Sequence, residues 1–105
     1  MAAGTRLPEV EASNSYGTPA LKVNGKLMCR MKEDGESMMV RVVDVDDKEA
    51  LLRADPEVFF TTPHYDGSAS VLVRLARADA DQLCELIEDA WRLRAPKRAL
   101  DAFRP

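Results

Sequence analysis

The sequence predicts an α+β fold: an antiparallel sheet of about five strands with helices on one face, in the order α-β-β-β-α-β-β-α-α. Three observations carry that expectation. The turn dipeptides Asn24-Gly25 and Asp34-Gly35 divide residues 21–43 into three strand-length apolar pieces. Apolar residues recur at helical spacing through residues 80–94. A chain of 105 residues, 46% hydrophobic and 31% charged, suits one compact domain over 1–105, with about two-thirds of its unfolded surface buried.

The elements follow in order. Residues 5–11 predict at most a short helical turn, with Leu7 and Val10 on one face, and residues 13–19 read as a loop rich in turn formers. In the first hairpin, a two-residue loop would set Leu21 on the opposite face from Leu27, Cys29 and Met31. A three-residue loop, Val23-Asn24-Gly25, with a left-handed Gly25 in a bulge, pairs Lys22 with Lys26. It gathers Leu21, Leu27, Cys29 and Met31 on one side, with Lys22, Lys26 and Arg30 on the other. Burial of one face fixes register, so the longer loop is expected. In the third strand Met38, Val40 and Val42 alternate with Met39, Arg41 and Val43.

Asp46, with Glu49 three residues on, predicts a capped helix over 47–54, which Asp55-Pro56 ends. Residues 58–62 and 70–75 are strand-like; in the latter Val71, Val73 and Leu75 face one way and Leu72 and Arg74 the other. Asp79, partnered by Gln82, caps a helix over 80–94 whose stripe is Leu83, Leu86, Ile87, Ala90 and Trp91. Glu88 and Arg92 form an i,i+4 pair on its polar face. Ala95-Pro96 breaks it, and Pro96 opens a last helix with Ala99, Leu100 and Phe103 inward.

The net charge of -3 conceals an uneven distribution. Acids dominate residues 33–57, whereas Arg92, Arg94, Lys97, Arg98 and Arg104 face only Asp101 after Trp91. Clustered cations at a helix break are a candidate phosphate-binding surface; the competing reading is a solvated helical face. Cys29 and Cys84 belong to no CxxC and sit among apolar residues, so two buried, reduced thiols are expected. Two cysteines and one histidine are too few for a structural zinc site, and Asp44, Asp46, Asp47 and Glu49 lack calcium-loop spacing; no metal and no cofactor is expected. The glycines match no phosphate loop. His64, the single histidine, stands in a loop between strands without a nucleophile or metal partner, so no catalytic set is visible and a non-enzyme is expected. No apolar run approaches the roughly 18 residues of a membrane span, and the first residues lack a signal-peptide core, so the expectation is a cytoplasmic protein without a membrane partner.

A family resemblance sharpens the function. Leu7-Pro8, Ser15-Tyr16-Gly17-Thr18-Pro19 and Asp55-Pro56-Glu57-Val58-Phe59-Phe60 occur in order with Thr62-Pro63-His64-Tyr65, Val71-Leu72-Val73-Arg74-Leu75, Ala90-Trp91-Arg92 and Ala95-Pro96-Lys97-Arg98. The ordered set resembles the small bacterial MmcQ/YjbR family over nearly the whole chain. That resemblance implies a single domain of frataxin/CyaY-like fold with a double-wing motif and a presumed DNA-binding role. By position, the family's signature residues are Tyr16, Thr62, Pro63, His64, Tyr65, Trp91, Arg92, Pro96, Lys97 and Arg98. The chain departs from the family pattern in a shortened leading helix and in the small residues Ser68-Ala69-Ser70.

Two functions are therefore expected in competition. One is a DNA-binding module in which Arg92, Arg94, Lys97, Arg98 and Arg74 contact phosphates. The other is a small-ligand or protein-binding adaptor with a cleft around Tyr16, Thr62, His64, Tyr65 and Trp91 beside the basic helix end.

Overall fold

A computed structural model describes residues 7–15 and 17–103. The sheet has six antiparallel strands: β1 (Val10–Ser15), β2 (Thr18–Val23), β3 (Lys26–Met31), β4 (Ser37–Arg41), β5 (Phe59–Phe60) and β6 (Ser70–Arg74). Their spatial order is β1-β2-β3-β4-β6-β5. Helices α1 (Val45–Ala54), α2 (Ala80–Arg94) and α3 (Lys97–Ala102) complete the α+β architecture, and a single 3-10 turn over Pro63–Tyr65 joins β5 to β6.

The chain order corrects the expected α-β-β-β start. Where a helical turn and loop were expected, residues 10–15 and 18–19 are strand, and Val10 pairs with Val23 and Ser15 with Thr18. Local turn formers gave way to hydrogen bonding along the edge of β2, a partner that local sequence does not reveal.

The first hairpin resolves the facing conflict differently from the expected three-residue loop. Val23 pairs with Lys26 across a two-residue Asn24-Gly25 turn, with φ of 53° and 72°. Both central residues are left-handed, the geometry whose twist suits a tight hairpin. Leu21 pairs with Cys29 and Lys22 with Leu27, so the irregularity falls at Met28 inside β3. Met28 and Cys29 therefore both enter the core, while Leu27 turns to the opposite face. A bulge does the work assigned to the longer loop, three residues further along.

On the helix-covered face Leu21, Val23, Val40, Val71 and Val73 meet Leu86, Ile87, Ala90 and Trp91 of α2. Trp91 is wholly buried, and its indole Nε1–H donates to the Pro8 carbonyl at 2.9 Å. That bond anchors the segment leading into β1 against α2. Asp79 accepts from the Gln82 amide at 2.7 Å, as the capping pattern predicts. The cap of α1 is Asp44 rather than Asp46, accepting from the Asp47 amide at 2.8 Å. Only Phe59 and Phe60 of the expected 58–62 strand pair with β6. Cys29 is buried and Cys84 is exposed, which corrects the expectation of two buried thiols: Cys84 is one position past Leu83 of the apolar stripe, about 100° round the helix, and lies on the solvent side of α2.

Candidate functional site: the open face of the sheet

Among the described residues no helix covers the other face of the sheet. Strand alternation places Lys22, Leu27, Arg30, Met39, Arg41, Leu72, Arg74 and Phe60 there, because each is paired with or alternates beside a residue of that face. A second small core, of Met39, Tyr65 and Leu72 with Leu27 and Phe60 against it, forms where the 3-10 turn folds over the strands. Thr62 precedes that turn, and its carbonyl accepts from the Tyr65 amide at 2.9 Å.

The turn is held from behind by Lys48 of α1. Only 3% exposed, its Nζ donates to the carbonyls of Tyr65 and Ser68, the latter at 3.2 Å. A lysine in the acidic N-terminal half of a helix reads from sequence as a solvated charge. Its ammonium is accommodated there because the Ser68 carbonyl and the Tyr65 carbonyl, the latter also accepting from the Ser68 amide, both accept from it.

Beside the turn is a depression of about 390 Å3, lined among others by Arg30, Glu33, Arg41, His64 and Tyr65. Arg30 is 5% exposed and held on several sides. Its Nη1 donates to Thr18 Oγ1 at 3.1 Å and Glu33 Oε1 at 3.0 Å, and its Nη2 to the Tyr65 hydroxyl at 3.4 Å. Lys32 Nζ donates to the same hydroxyl at 3.0 Å. Burial alone would raise the Tyr65 phenol, but the Lys32 and Arg30 donors with their charges outweigh it, and the phenol lies below its ordinary value. Burial likewise opposes the charge on Arg30, yet Glu33 and Tyr65 leave its guanidinium above the usual value. Arg41 Nη1 donates to Ser70 Oγ at 2.7 Å, which fixes its stem across β6. The exposed His64 ring meets Tyr65 edge-on, with centroids 4.8 Å apart.

The Tyr65 hydroxyl thus accepts from two cationic groups, and its own proton has no acceptor among the described residues. A phenol so placed is a hydrogen-bond donor to an incoming oxygen atom.

The residues expected to bind anions or line a cleft are distributed as follows. His64, Tyr65 and Thr62 meet on the open face or in the turn beside it. Trp91 lies in the core beneath α2, on the other side of the sheet, so the expected cleft does not include it. Tyr16 lies outside the described residues. Arg92 is paired with Glu88 at 3.2 Å, as the spacing predicts, and its guanidinium lies over the Phe103 ring at 5.3 Å. Arg98 is paired with Glu9 at 2.7 Å. Arg94 turns toward the Ala90 carbonyl at 3.5 Å; burial first, then the charge of Arg41, push its guanidinium below the ordinary value. Lys97 is exposed at the start of α3.

Arg74 does not join the cations at the helix break. It pairs with Ser37 at the strand end opposite Arg41, lies over the Phe60 ring at 4.3 Å, and donates to the carbonyls of Pro56 and Glu57. Sequence reasoning missed Arg30 and Arg41 as site residues. Their alternation with core positions was visible, but a polar strand face reads as solvated until something is seen to fold onto it. No cluster of three or more metal-ligating side chains exists among the described residues.

The architecture is shared. A crystal structure of Deinococcus radiodurans protein DR2400, described as a DUF419 domain, superposes with a TM-score of 0.73 over 88% of this chain and 72% of that one, at 21% identity. Sheet, helix layer and open face therefore define an α+β domain of the DUF419 type. The family model YjbR matches residues 5–93, and the chain belongs to the YjbR family. The uncharacterised proteins Rv2570 of Mycobacterium tuberculosis and Mb2600 of Mycobacterium bovis are each 49% identical over 69 residues, 66% of this chain and 54% of theirs. The chain thus spans about half the length of the curated relatives it matches.

Proposed function

We propose that this protein is a non-enzymatic binding module that takes a small anionic ligand, a carboxylate or phosphate, in the depression on the open face of the sheet. The observation that carries this reading is the convergence of Arg30 and Lys32 on the Tyr65 hydroxyl, with Arg41 on the same wall, in a protein whose net charge is -3. Cations held by neighbours are oriented before a ligand arrives, which lowers the entropy cost of binding. Arg41 and Tyr65 then donate to the ligand, and His64 closes the side.

The test is a titration of the isotope-labelled protein with inorganic phosphate, citrate and a nucleoside monophosphate, read by amide chemical shifts. Saturable shifts at His64, Tyr65 and Ser68 that weaken about tenfold or more in Arg41→Gln and in Tyr65→Phe are expected. Absence of saturable shifts with every anion rejects the reading.

DNA binding is the second reading, and the sorting of charge between the two layers favours it. Helices α1 and α2 with their caps carry ten acids against four bases (Asp44, Asp46, Asp47, Glu49, Asp55, Asp79, Asp81, Glu85, Glu88 and Asp89 against Lys48, Arg53, Arg92 and Arg94). The open face carries Lys22, Arg30, Arg41 and Arg74 against Glu11 and, in the depression, Glu33, and the charge of Arg41 is felt by Arg94 at the helix break. Duplex DNA bound there loses affinity with salt at a slope near -0.9 per phosphate contact. Loss in Arg41→Glu but not Lys97→Glu assigns the contact to the sheet, and the reverse assigns it to the helix break. Binding that ignores salt removes the DNA reading.

A further inference from the structure

Among the described residues large apolar side chains are well covered, with two exceptions. Among the described residues Val43, 58% exposed, and Leu93, 45% exposed, are the large hydrophobics left in solvent. Fifty positions apart in sequence, they line one groove of about 420 Å3 on the helix layer, between α1 and the C-terminal half of α2. Val42, Leu51 and Leu86 supply its further apolar lining. Singly scattered apolar residues need no explanation, but two that share a concave apolar groove mark a contact surface.

The charge around the groove is uneven in what it leaves available. Arg92 borders it but is paired with Glu88 and lies over Phe103, whereas Arg41, also at its border, reaches the neutral Ser70 hydroxyl and keeps its charge. The carboxylates of Asp47 and Asp89 border it too, and neither has a cationic partner within ion-pair distance among the described residues. Asp89 is exposed, yet partial desolvation, followed by the nearby charges of Glu88 and Asp47, raises its carboxyl above the ordinary value, with Arg92 only partly offsetting them. An added cation at this place relieves that repulsion.

We propose that this groove docks a short amphipathic segment of a partner protein, its apolar side chains lying on Val43, Leu51 and Leu93 and a lysine or arginine seated by Asp47 and Asp89. The groove accommodates a few side chains rather than a globular face, which matches the way an amphipathic helix lays its apolar stripe into a channel. The surrounding acids of α1 and α2 steer a cationic segment and repel an anionic membrane surface. Arg41 borders both this groove and the open-face depression, but none of the residues on which the docking rests lines that depression, so the two are tested independently.

The experiment is a titration of the isotope-labelled full chain with three synthetic helical peptides. One carries leucines on one face and lysines on the other, one has glutamates for those lysines, and one has serines for the leucines. The first is expected to bind saturably with its largest amide shifts at Val43, Leu51, Asp89 and Leu93. Affinity should fall about tenfold in Leu93→Ser and in Val43→Ser, and about fivefold or more in the Asp47→Asn, Asp89→Asn double variant. Val43 and Leu93 are solvent-exposed, so their serine variants keep the fold. Equal binding of all three peptides, shifts centred elsewhere, or serine variants that bind as the parent does would overturn the proposal. So would a concentration-dependent dimer that Leu93→Ser returns to monomer, because the occupant is then a second copy of this chain.

Discussion

Lys48→Met tests the link between fold and site. The lysine is 3% exposed, and its Nζ donates to the carbonyls of Tyr65 and Ser68. A hydrogen bond from a charged donor contributes roughly 1.5–3 kcal/mol net, and a buried acceptor deprived of its donor costs about 1–3 kcal/mol. The contact to Ser68 is part-buried, so water replaces it at little cost, while the contact to Tyr65 is buried and has no such substitute. The Tyr65 carbonyl keeps the Ser68 amide at 3.0 Å, which limits the loss. Methionine fills the lysine's stem volume, so cavity formation adds little. Relief from desolvating the ammonium works in the opposite direction. The net expectation is a destabilisation of about 2 kcal/mol. At roughly 4–8 °C per kcal/mol for a domain near this size, the Tm falls by about 8–16 °C. Urea unfolding followed by circular dichroism measures the first quantity. Amide exchange at Ser68 and chemical shifts at His64 report whether the 3-10 turn loosens. A variant within about 0.5 kcal/mol of the parent with unchanged exchange at Ser68 would show that Lys48 does not hold the turn, and the structural account of the site fails with it.

Two further outcomes follow from the same physics. Burial pushes the Cys29 thiol up to about 11, while Cys84 is exposed, so a thiol reagent at neutral pH should modify Cys84 alone in the native protein and both after unfolding, as mass spectrometry of the labelled chain will read. The amides of Glu36 and Ser37 and then the Ser37 hydroxyl hold the Asp34 carboxyl below its ordinary value. A carboxyl whose pKa is depressed by folding adds stability that is fully present above the unfolded value and is lost as pH falls through the folded one. Unfolding free energies measured across the acid range should therefore decline less steeply in Asp34→Ala than in the parent below about pH 4; parallel curves would count against the Asp34 turn.

Much of the architecture was legible because it rests on short-range rules. Helix α2 has the bounds its periodicity and Asp79 cap predict, and the Glu88–Arg92 pair and the buried Trp91 stripe stand where 3.6-residue spacing puts them. Alternation in β4 and β6 sorted Met38, Val40, Val71 and Val73 from Met39, Arg41, Leu72 and Arg74 correctly, since side chains on a strand have a period of two. The conflict of facing in the first hairpin was also visible. Its resolution was not, because a bulge at Met28 and one at the turn satisfy the same local pattern.

What only the tertiary structure decided involves partners distant along the chain. Edge strand β1 exists because β2 offers it hydrogen bonds, against the turn-forming character of its own residues. Lys48 is buried because a turn some twenty residues later presents two carbonyls to it. Arg98 is paired with Glu9 across the fold, and Arg74 is at the strand end away from Arg41, so Arg74 does not join the cations of the helix break. A linear pattern specifies which face of an element is apolar. Which polar groups meet across elements depends on how those faces close on one another, and the meetings of Arg30 and Lys32 with Tyr65 and of Arg41 with Ser70 are of that kind.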